Sequence, residues 1–117
     1  MATLDDVRAI CTEFPGAVEG EGPQFGFSVI VKGKPKGFCW SWRERVHPKK
    51  PKQVNLDVLA ISVPNLMVKE MLLQSDSAVY FTEDHYNGYP AVLVRLEAIS
   101  ADDLRPLLRE AYACKAP

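Results

Sequence analysis

The chain has 117 residues, of which 47% are hydrophobic and 25% charged, a composition typical of one globular domain and not of a disordered chain. No apolar run reaches the ~20 residues that a membrane-spanning helix needs. The first residues, MATLDDVRAICTEF, lack the basic and apolar stretches of a signal peptide. We therefore expect one domain over residues 1–117 in the cytosol, with Cys11, Cys39 and Cys114 as reduced, buried thiols.

The charge is unevenly distributed along the chain. Residues 32–52, called the basic segment below, contain eight of the fourteen Lys and Arg residues and one acid, Glu44. The segment therefore carries +7, and the rest of the chain −8, for a total of −1. Such a concentration of cations favours a negatively charged partner, either nucleic acid or an acidic protein surface.

The first half of the chain predicts a helix and a β-hairpin. Thr3 and Asp6 resemble a capping box ahead of apolar residues at helical spacing, and Pro15-Gly16 ends the helix. QFGFSVIV and GFCWSW then alternate as strands. We expect a four-residue loop, Gly33 to Lys36, because Pro35 cannot donate a ladder hydrogen bond. The predicted pairs are Val31 with Phe38, Val29 with Trp40, and Phe27 with Trp42, which places the aromatic residues on one buried face.

The second half predicts a buried strand, DVLAISV, a short helix from Pro64-Asn65 to about Gln74, and a second hairpin. Asn87-Gly88 is the usual sequence of a two-residue type I′ turn. That turn pairs Val79 with Leu96, Phe81 with Val94, and Glu83 with Val92, and it leaves residues 85–89 projecting at the tip.

The final helix begins at Ser100 or near Asp103, depending on how Pro106 is accommodated. The predicted fold is therefore α+β: a single antiparallel sheet of about five strands, in the order α-β-β-β-α-β-β-α. We expect the terminal helices to pack on one face of that sheet.

The stretch FTEDHYNGYPAVLVRL, residues 81–96, contains the densest group of chemically capable side chains. Adjacent strand residues point to opposite faces, so Glu83 and His85 could share one ligand while Asp84 points away. A metal site needs three or four converging ligands. No phosphate-binding loop, nucleophile elbow or HExxH motif is present. We therefore expect no catalytic site, no metal site and no cofactor. An enzymatic alternative requires a deep pocket that unites His85 with Glu83 or Arg95.

Three stretches, SWRERVHPKKPKQVNLDVLAISV, YFTEDHYNGYPAVLVRLEAIS and LRPLLREAYACKAP, resemble the MmcQ/YjbR family. The likeness runs from about Leu4 to the C-terminus. It implies a CyaY-like fold, related to frataxin, and DNA binding through a "double wing" of two β-hairpins. The branch motifs fall on Arg45, Val46, Pro48, Lys49 and Lys50 and on His85, Tyr86, Gly88 and Tyr89.

Our functional hypothesis is a small, non-catalytic, nucleic-acid-binding protein, with DNA as the favoured partner. The predicted contact residues come from the basic segment and the second hairpin: Lys32, Lys34, Lys36, Arg43, Arg45, His47, Lys49, Lys50, Lys52, His85, Tyr86, Asn87, Tyr89 and Arg95. The alternative is a protein- or ligand-interaction module whose basic patch meets an acidic partner or a second copy of the chain.

Overall fold

The computed structural model of the chain describes residues 1–22, 24–44, 49 and 51–116. The elements of these residues are α1 (Leu4–Cys11), β1 (Ala17–Glu19), β2 (Gly26–Val31), β3 (Lys34–Glu44), β4 (Gln53–Ser62), α2 (Leu66–Ser75), β5 (Tyr80–Phe81), β6 (Ala91–Arg95) and α3 (Ala101–Lys115). The strands form one six-stranded antiparallel sheet in the order β1-β2-β3-β4-β6-β5. The predicted α+β fold is confirmed, with the three-residue strand β1 in addition.

The terminal helices cover one face of the sheet, as predicted. Both predicted caps form: Thr3 and Asp6 make a reciprocal capping box at α1, and the Ser100 side chain accepts from the Asp103 N–H at α3. Helix α3 contacts β2, β3 and β4, and α1 contacts α3. Helix α3 begins directly after Ser100 and contains Pro106 at an exposed position. The core between helices and sheet includes Val7, Phe27, Phe38, Ile61, Leu104 and Leu108.

The β2–β3 hairpin has a tighter turn than expected. Its loop is Lys32-Gly33, whose φ angles of 54° and 79° make a type I′ turn, and Val31 pairs with Lys34. The four-residue loop from Gly33 to Lys36 was therefore wrong. Pro35 faces Ile30 at the next position, where an antiparallel pair exchanges no hydrogen bond, so its missing N–H costs nothing.

A β-bulge in β3 divides the aromatic residues between the two faces. Phe27 pairs with Cys39 and Ser28 with Gly37, so Phe38 is an extra residue, and both Phe38 and Cys39 are buried on the helix side. The predicted pairs Val31–Phe38, Val29–Trp40 and Phe27–Trp42 were wrong because the two-residue turn moves the register by four residues, and the bulge then moves it back by one. Beyond the bulge, Trp40 and Trp42 lie on the other face of the sheet, where they pack with Val58, Ala60, Leu93, Phe81 and Tyr86.

The predicted second hairpin is only partly formed. Strand β5 pairs Tyr80 with Val94 and Phe81 with Leu93, one residue out of the expected register. This slip moves Phe81 away from the helix-side core and corrects the predicted pairs Val79–Leu96, Phe81–Val94 and Glu83–Val92. After Phe81 the chain leaves the sheet and rejoins it only at Ala91.

Residues 82–90 fold back as a compact loop instead of projecting as a hairpin tip. A 3₁₀ turn spans Asp84–Tyr86. Asn87 has φ −63° and ψ 128° and Gly88 has φ 76°, which is a type II turn and not the predicted type I′ turn. The N–H of Tyr89 donates to the carbonyl of Tyr86 across this turn, at 3.0 Å.

None of the helices in the described part of the chain has the length and apolar content to span a bilayer. Among the thiols, Cys11 and Cys39 are buried as expected, whereas Cys114 is exposed near the end of α3.

Candidate functional site

A cavity of about 310 Å³ lies where the folded-back loop meets the sheet face that carries Trp40. Strand β3 contributes Trp40 and Arg43, and Lys52 lies immediately before β4. Gln24 precedes β2. The loop contributes Glu83, His85, Tyr86 and Tyr89. The cavity therefore brings Arg43 and Lys52 of the basic segment together with His85, Tyr86 and Tyr89 of the loop.

The aromatic wall of the cavity is held by a specific hydrogen bond. The indole Nε1 of Trp40 donates to the hydroxyl oxygen of Tyr86 at 2.9 Å. Burial raises the pKa of Tyr86 above its ordinary value of 10.0, and Glu83 adds to this effect, while the bond from Trp40 opposes it. Because the Tyr86 oxygen accepts from Trp40, its own proton remains available to another acceptor. Tyr89 meets Tyr86 edge to face at 6.2 Å and leaves 46% of its surface exposed to a ligand.

The cavity also contains hydrogen-bond acceptors, which lie beside its positively charged side chains. Glu83 is the N-cap of the 3₁₀ turn, and its Oε1 atom accepts from the backbone N–H of His85 at 3.0 Å. Gln24 uses its amide nitrogen to donate to the carbonyl of Ser41 at 2.7 Å, which leaves its side-chain oxygen as an acceptor. Arg43 and Lys52 supply positive charge at the same cavity.

A buried lysine on α2 fastens the loop from behind. Lys69 is only 4% exposed, and its ammonium group donates to the backbone carbonyls of both Tyr86 and Tyr89. Burial lowers the pKa of Lys69 below its usual 10.5. These two bonds fix the backbone on either side of Asn87-Gly88. The type II turn thus allows both carbonyls to accept hydrogen bonds from Lys69, which a projecting type I′ hairpin would not make.

No family model matches the sequence. The chain is 35% identical, over 120 aligned residues, to uncharacterized proteins Rv2570 of Mycobacterium tuberculosis and Mb2600 of Mycobacterium bovis. The alignment covers all of this chain and 91% of each relative. The chain belongs to the family of these mycobacterial proteins.

A solved structure resembles the fold of this family member. The crystal structure of Deinococcus radiodurans protein DR2400, with the domain DUF419, matches it with a TM-score of 0.70 and 25% sequence identity. The match covers 96% of this chain and 77% of that one. The fold is therefore shared with a DUF419 domain.

The predicted contact residues are divided by the fold. Arg43, Lys52, His85, Tyr86 and Tyr89 line the cavity. The cations of the first hairpin, Lys32, Lys34 and Lys36, lie towards the other end of β3. Even Lys36 is roughly 23 Å from Arg43 along the strand, at ~3.3 Å per residue.

The remaining predicted residues lie apart from the cavity or outside the description. Arg95 stacks its guanidinium over the ring of Phe81 at 4.1 Å, and Asn87 faces a separate cavity of about 230 Å³. Lys49 is exposed, and Arg45, His47 and Lys50 lie outside the described residues. The enzymatic alternative requires a pocket that unites His85 with Glu83 or Arg95, and the first of these pairings is present, because both side chains line the cavity. Arg95 does not line it. Within residues 1–22, 24–44, 49 and 51–116, no group of three or more His, Cys, Asp or Glu side chains is suited to a metal ion.

Four residues of the site were not among the predicted contacts: Gln24, Trp40, Glu83 and Lys69. Trp40 was assigned to the core because the bulge in β3 was not foreseen. Lys69 carried a usable signal: it shares a helix face with Leu66, Leu72 and Leu73, at positions i−3, i+3 and i+4. A lysine on the apolar side of a short helix needs buried acceptors, and the carbonyls of the loop are those acceptors.

Proposed function

We propose that the protein binds nucleic acid by holding one unpaired nucleotide in the cavity. The observation that carries the proposal is the joint presence of exposed aromatic surface, on Tyr89, and two cations, Arg43 and Lys52, around a single opening. Aromatic rings that stack on bases, next to cations that contact phosphates, are the chemistry of single-strand recognition. A cavity of about 310 Å³ is of the size of a small-ligand site and has no room for a duplex.

The family resemblance supports the same partner but a different geometry. DUF419, the domain of the Deinococcus structure, is related to the MmcQ/YjbR family, whose members are described as DNA-binding through two hairpin wings. In this chain the loop after β5 is folded over the sheet, so it would offer a pocket and not a wing. We propose that the protein acts in the cytosol as a non-catalytic binding protein of this kind.

A second mode of binding is favoured by the β2–β3 hairpin. Its type I′ turn carries three exposed lysines, Lys32, Lys34 and Lys36, around the tip. A narrow, positively charged hairpin could contact duplex phosphates as a wing. Under this second candidate, duplex DNA would bind at least as well as a single strand, and the affinity would depend on these three lysines.

Fluorescence anisotropy with a labelled single strand and the matching duplex distinguishes the two modes. At about 50 mM salt the single strand should bind more tightly than the duplex. If Arg43 and Lys52 each contact one phosphate, log affinity should fall with log salt with a slope of roughly −1.4. Any further contact from the basic segment would make the slope steeper.

Two matched variants locate the contact. Lys52→Gln removes a charge at the cavity, and Lys36→Gln removes the same charge near the hairpin end of β3. Lys52→Gln should weaken single-strand binding by about three- to tenfold, as expected for a contact worth roughly 1 kcal/mol. Lys36→Gln should have little effect. A stronger effect of Lys36→Gln on duplex binding would support the hairpin mode instead. Absence of any nucleic-acid binding, with salt-dependent self-association, would favour the interaction module.

A further inference from the structure

The cavity contains a carboxylate, which would repel nucleic-acid phosphates, and this feature narrows the range of groups that can bind next to it. Glu83 lines the cavity and is half-buried. Its bond from the N–H of His85, at 3.0 Å, fixes the side chain as the cap of the 3₁₀ turn. No cation in the described part of the chain forms an ion pair with it. Since Oε1 retains a second lone pair and Oε2 has no hydrogen-bond partner among the described residues, the carboxylate can accept two further hydrogen bonds.

Two other polar side chains of the cavity, Tyr86 and Gln24, add to this pattern. The Tyr86 hydroxyl accepts from Trp40, so its proton is free to donate to a ligand. Gln24 has its amide nitrogen bonded to Ser41, so its oxygen is a further acceptor. A ligand that satisfies these groups needs adjacent N–H donors for Glu83 and an acceptor for a neutral hydroxyl.

Among the common bases only guanine presents two adjacent donors, N1–H and the N2 amino group, beside an acceptor, O6. Adenine and cytosine each place one donor beside an acceptor, and thymine and uracil place one donor between two acceptors. A carboxylate takes two parallel N–H bonds from guanine, but against any other base one of its oxygens faces a lone pair. Sites built around such hydrogen bonds discriminate strongly, because the wrong ligand leaves a partly buried polar group unpaired.

We propose that the cavity selects guanine, with the Glu83 carboxylate accepting from the N1–H and N2 amino groups. The inference rests on the proposed function, in which Arg43 and Lys52 contact the flanking phosphates. Tyr86 would donate to an acceptor on the base or the sugar, and the exposed ring of Tyr89 would stack on the base.

Four labelled DNA pentanucleotides test this proposal, each with thymine at the outer positions and guanine, adenine, cytosine or thymine at the centre. Their affinities are compared by fluorescence anisotropy at about 50 mM salt. The guanine strand should bind about 5- to 150-fold more tightly than the others, the range expected for one bidentate base contact.

Glu83→Gln provides the decisive variant. An amide oxygen can still accept from the N–H of His85, so the turn is retained, but an amide cannot accept two bonds from guanine. The variant should lose the guanine preference and shift towards adenine, which pairs with an amide through one donor and one acceptor. Glu44→Gln is the matched control, since Glu44 accepts from Asn55 outside the cavity, and it should keep the preference.

The outcomes separate this inference from the proposed function. Equal binding of all four strands overturns guanine selection and leaves single-strand binding intact. A guanine preference that survives in Glu83→Gln also overturns it. Failure of every strand to bind overturns both proposals, provided that urea unfolding shows the protein to be folded.

Discussion

The substitution Lys69→Met tests whether the buried lysine holds the loop that forms the cavity. The ammonium group donates to the carbonyls of Tyr86 and Tyr89, and the residue is 4% exposed. Methionine has a similar length and keeps the packing of the aliphatic stem, but it cannot donate a hydrogen bond. The substitution therefore removes the fastening of the loop while leaving the helix face of α2 largely filled.

Two opposing contributions determine how much Lys69→Met changes the free energy of unfolding. Each carbonyl left without a donor costs about 1–3 kcal/mol. In the other direction, a charge that is expensive to bury is removed. Because the loop can loosen and expose the two carbonyls to water, we expect a net loss of about 1–2 kcal/mol in the free energy of unfolding. The larger effect should be local, in residues 83–89.

Urea unfolding measures the first quantity and amide hydrogen exchange the second. The amides of Tyr86, Asn87 and Tyr89 donate within the loop and should lose protection in Lys69→Met. Lys36→Met, at an exposed position in β3, is the control and should change neither quantity. Unchanged protection of these three amides, together with lost stability, would refute the idea that Lys69 fastens the loop.

The stability difference between the wild-type protein and Lys69→Met should also depend on pH. Burial lowers the pKa of Lys69 in the folded state, so between that pKa and the usual 10.5 the unfolded chain binds more protons than the folded chain. The contribution of Lys69 to stability therefore grows as the pH rises through this window. The wild-type protein should gain stability relative to Lys69→Met as the pH rises towards 10.5. An advantage that shrinks over this range would contradict the lowered pKa.

Two further predictions concern the first hairpin and the thiols. Lys32→Asn places Asn-Gly in the observed type I′ turn, where Lys32 has φ 54°, and should raise the free energy of unfolding by about 0.5–1 kcal/mol; a loss in thermal unfolding experiments would argue against that turn. A thiol reagent such as DTNB should modify the exposed Cys114 in the folded protein and should reach the buried Cys11 and Cys39 only on unfolding. The hydrogen bond with Cys11 and burial also raise the pKa of Cys39. Rapid modification of all three thiols in the folded protein would contradict the described core.

The fold was predictable because its signals are local. Caps such as Thr3 and Ser100, and the alternation of apolar residues in β2 and β4, each specify an element without knowledge of the rest. The registers were not predictable in the same way. The extra residue at Phe38 and the slip between β5 and β6 depend on packing across the sheet, and each one turns side chains to the opposite face.

The candidate site was half predictable for the same reason. The residue types alone identified the cations Arg43 and Lys52 and the loop residues His85, Tyr86 and Tyr89 as candidates. Their meeting in one cavity could not be foreseen, because it requires the loop to fold back over Trp40. That fold depends on Lys69, which lies more than a dozen residues earlier on a different element.

The central claim is that an unpaired nucleotide occupies the cavity, and nuclear magnetic resonance tests it most directly. A guanine-centred pentanucleotide is titrated into ¹⁵N-labelled protein and the shifted resonances are assigned. We predict shifts of the Trp40 indole N–H and of the backbone amides of residues 83–89, with the amides of Lys32, Lys34 and Lys36 unchanged. Shifts confined to the β2–β3 hairpin, with the Trp40 indole unmoved, would contradict the claim.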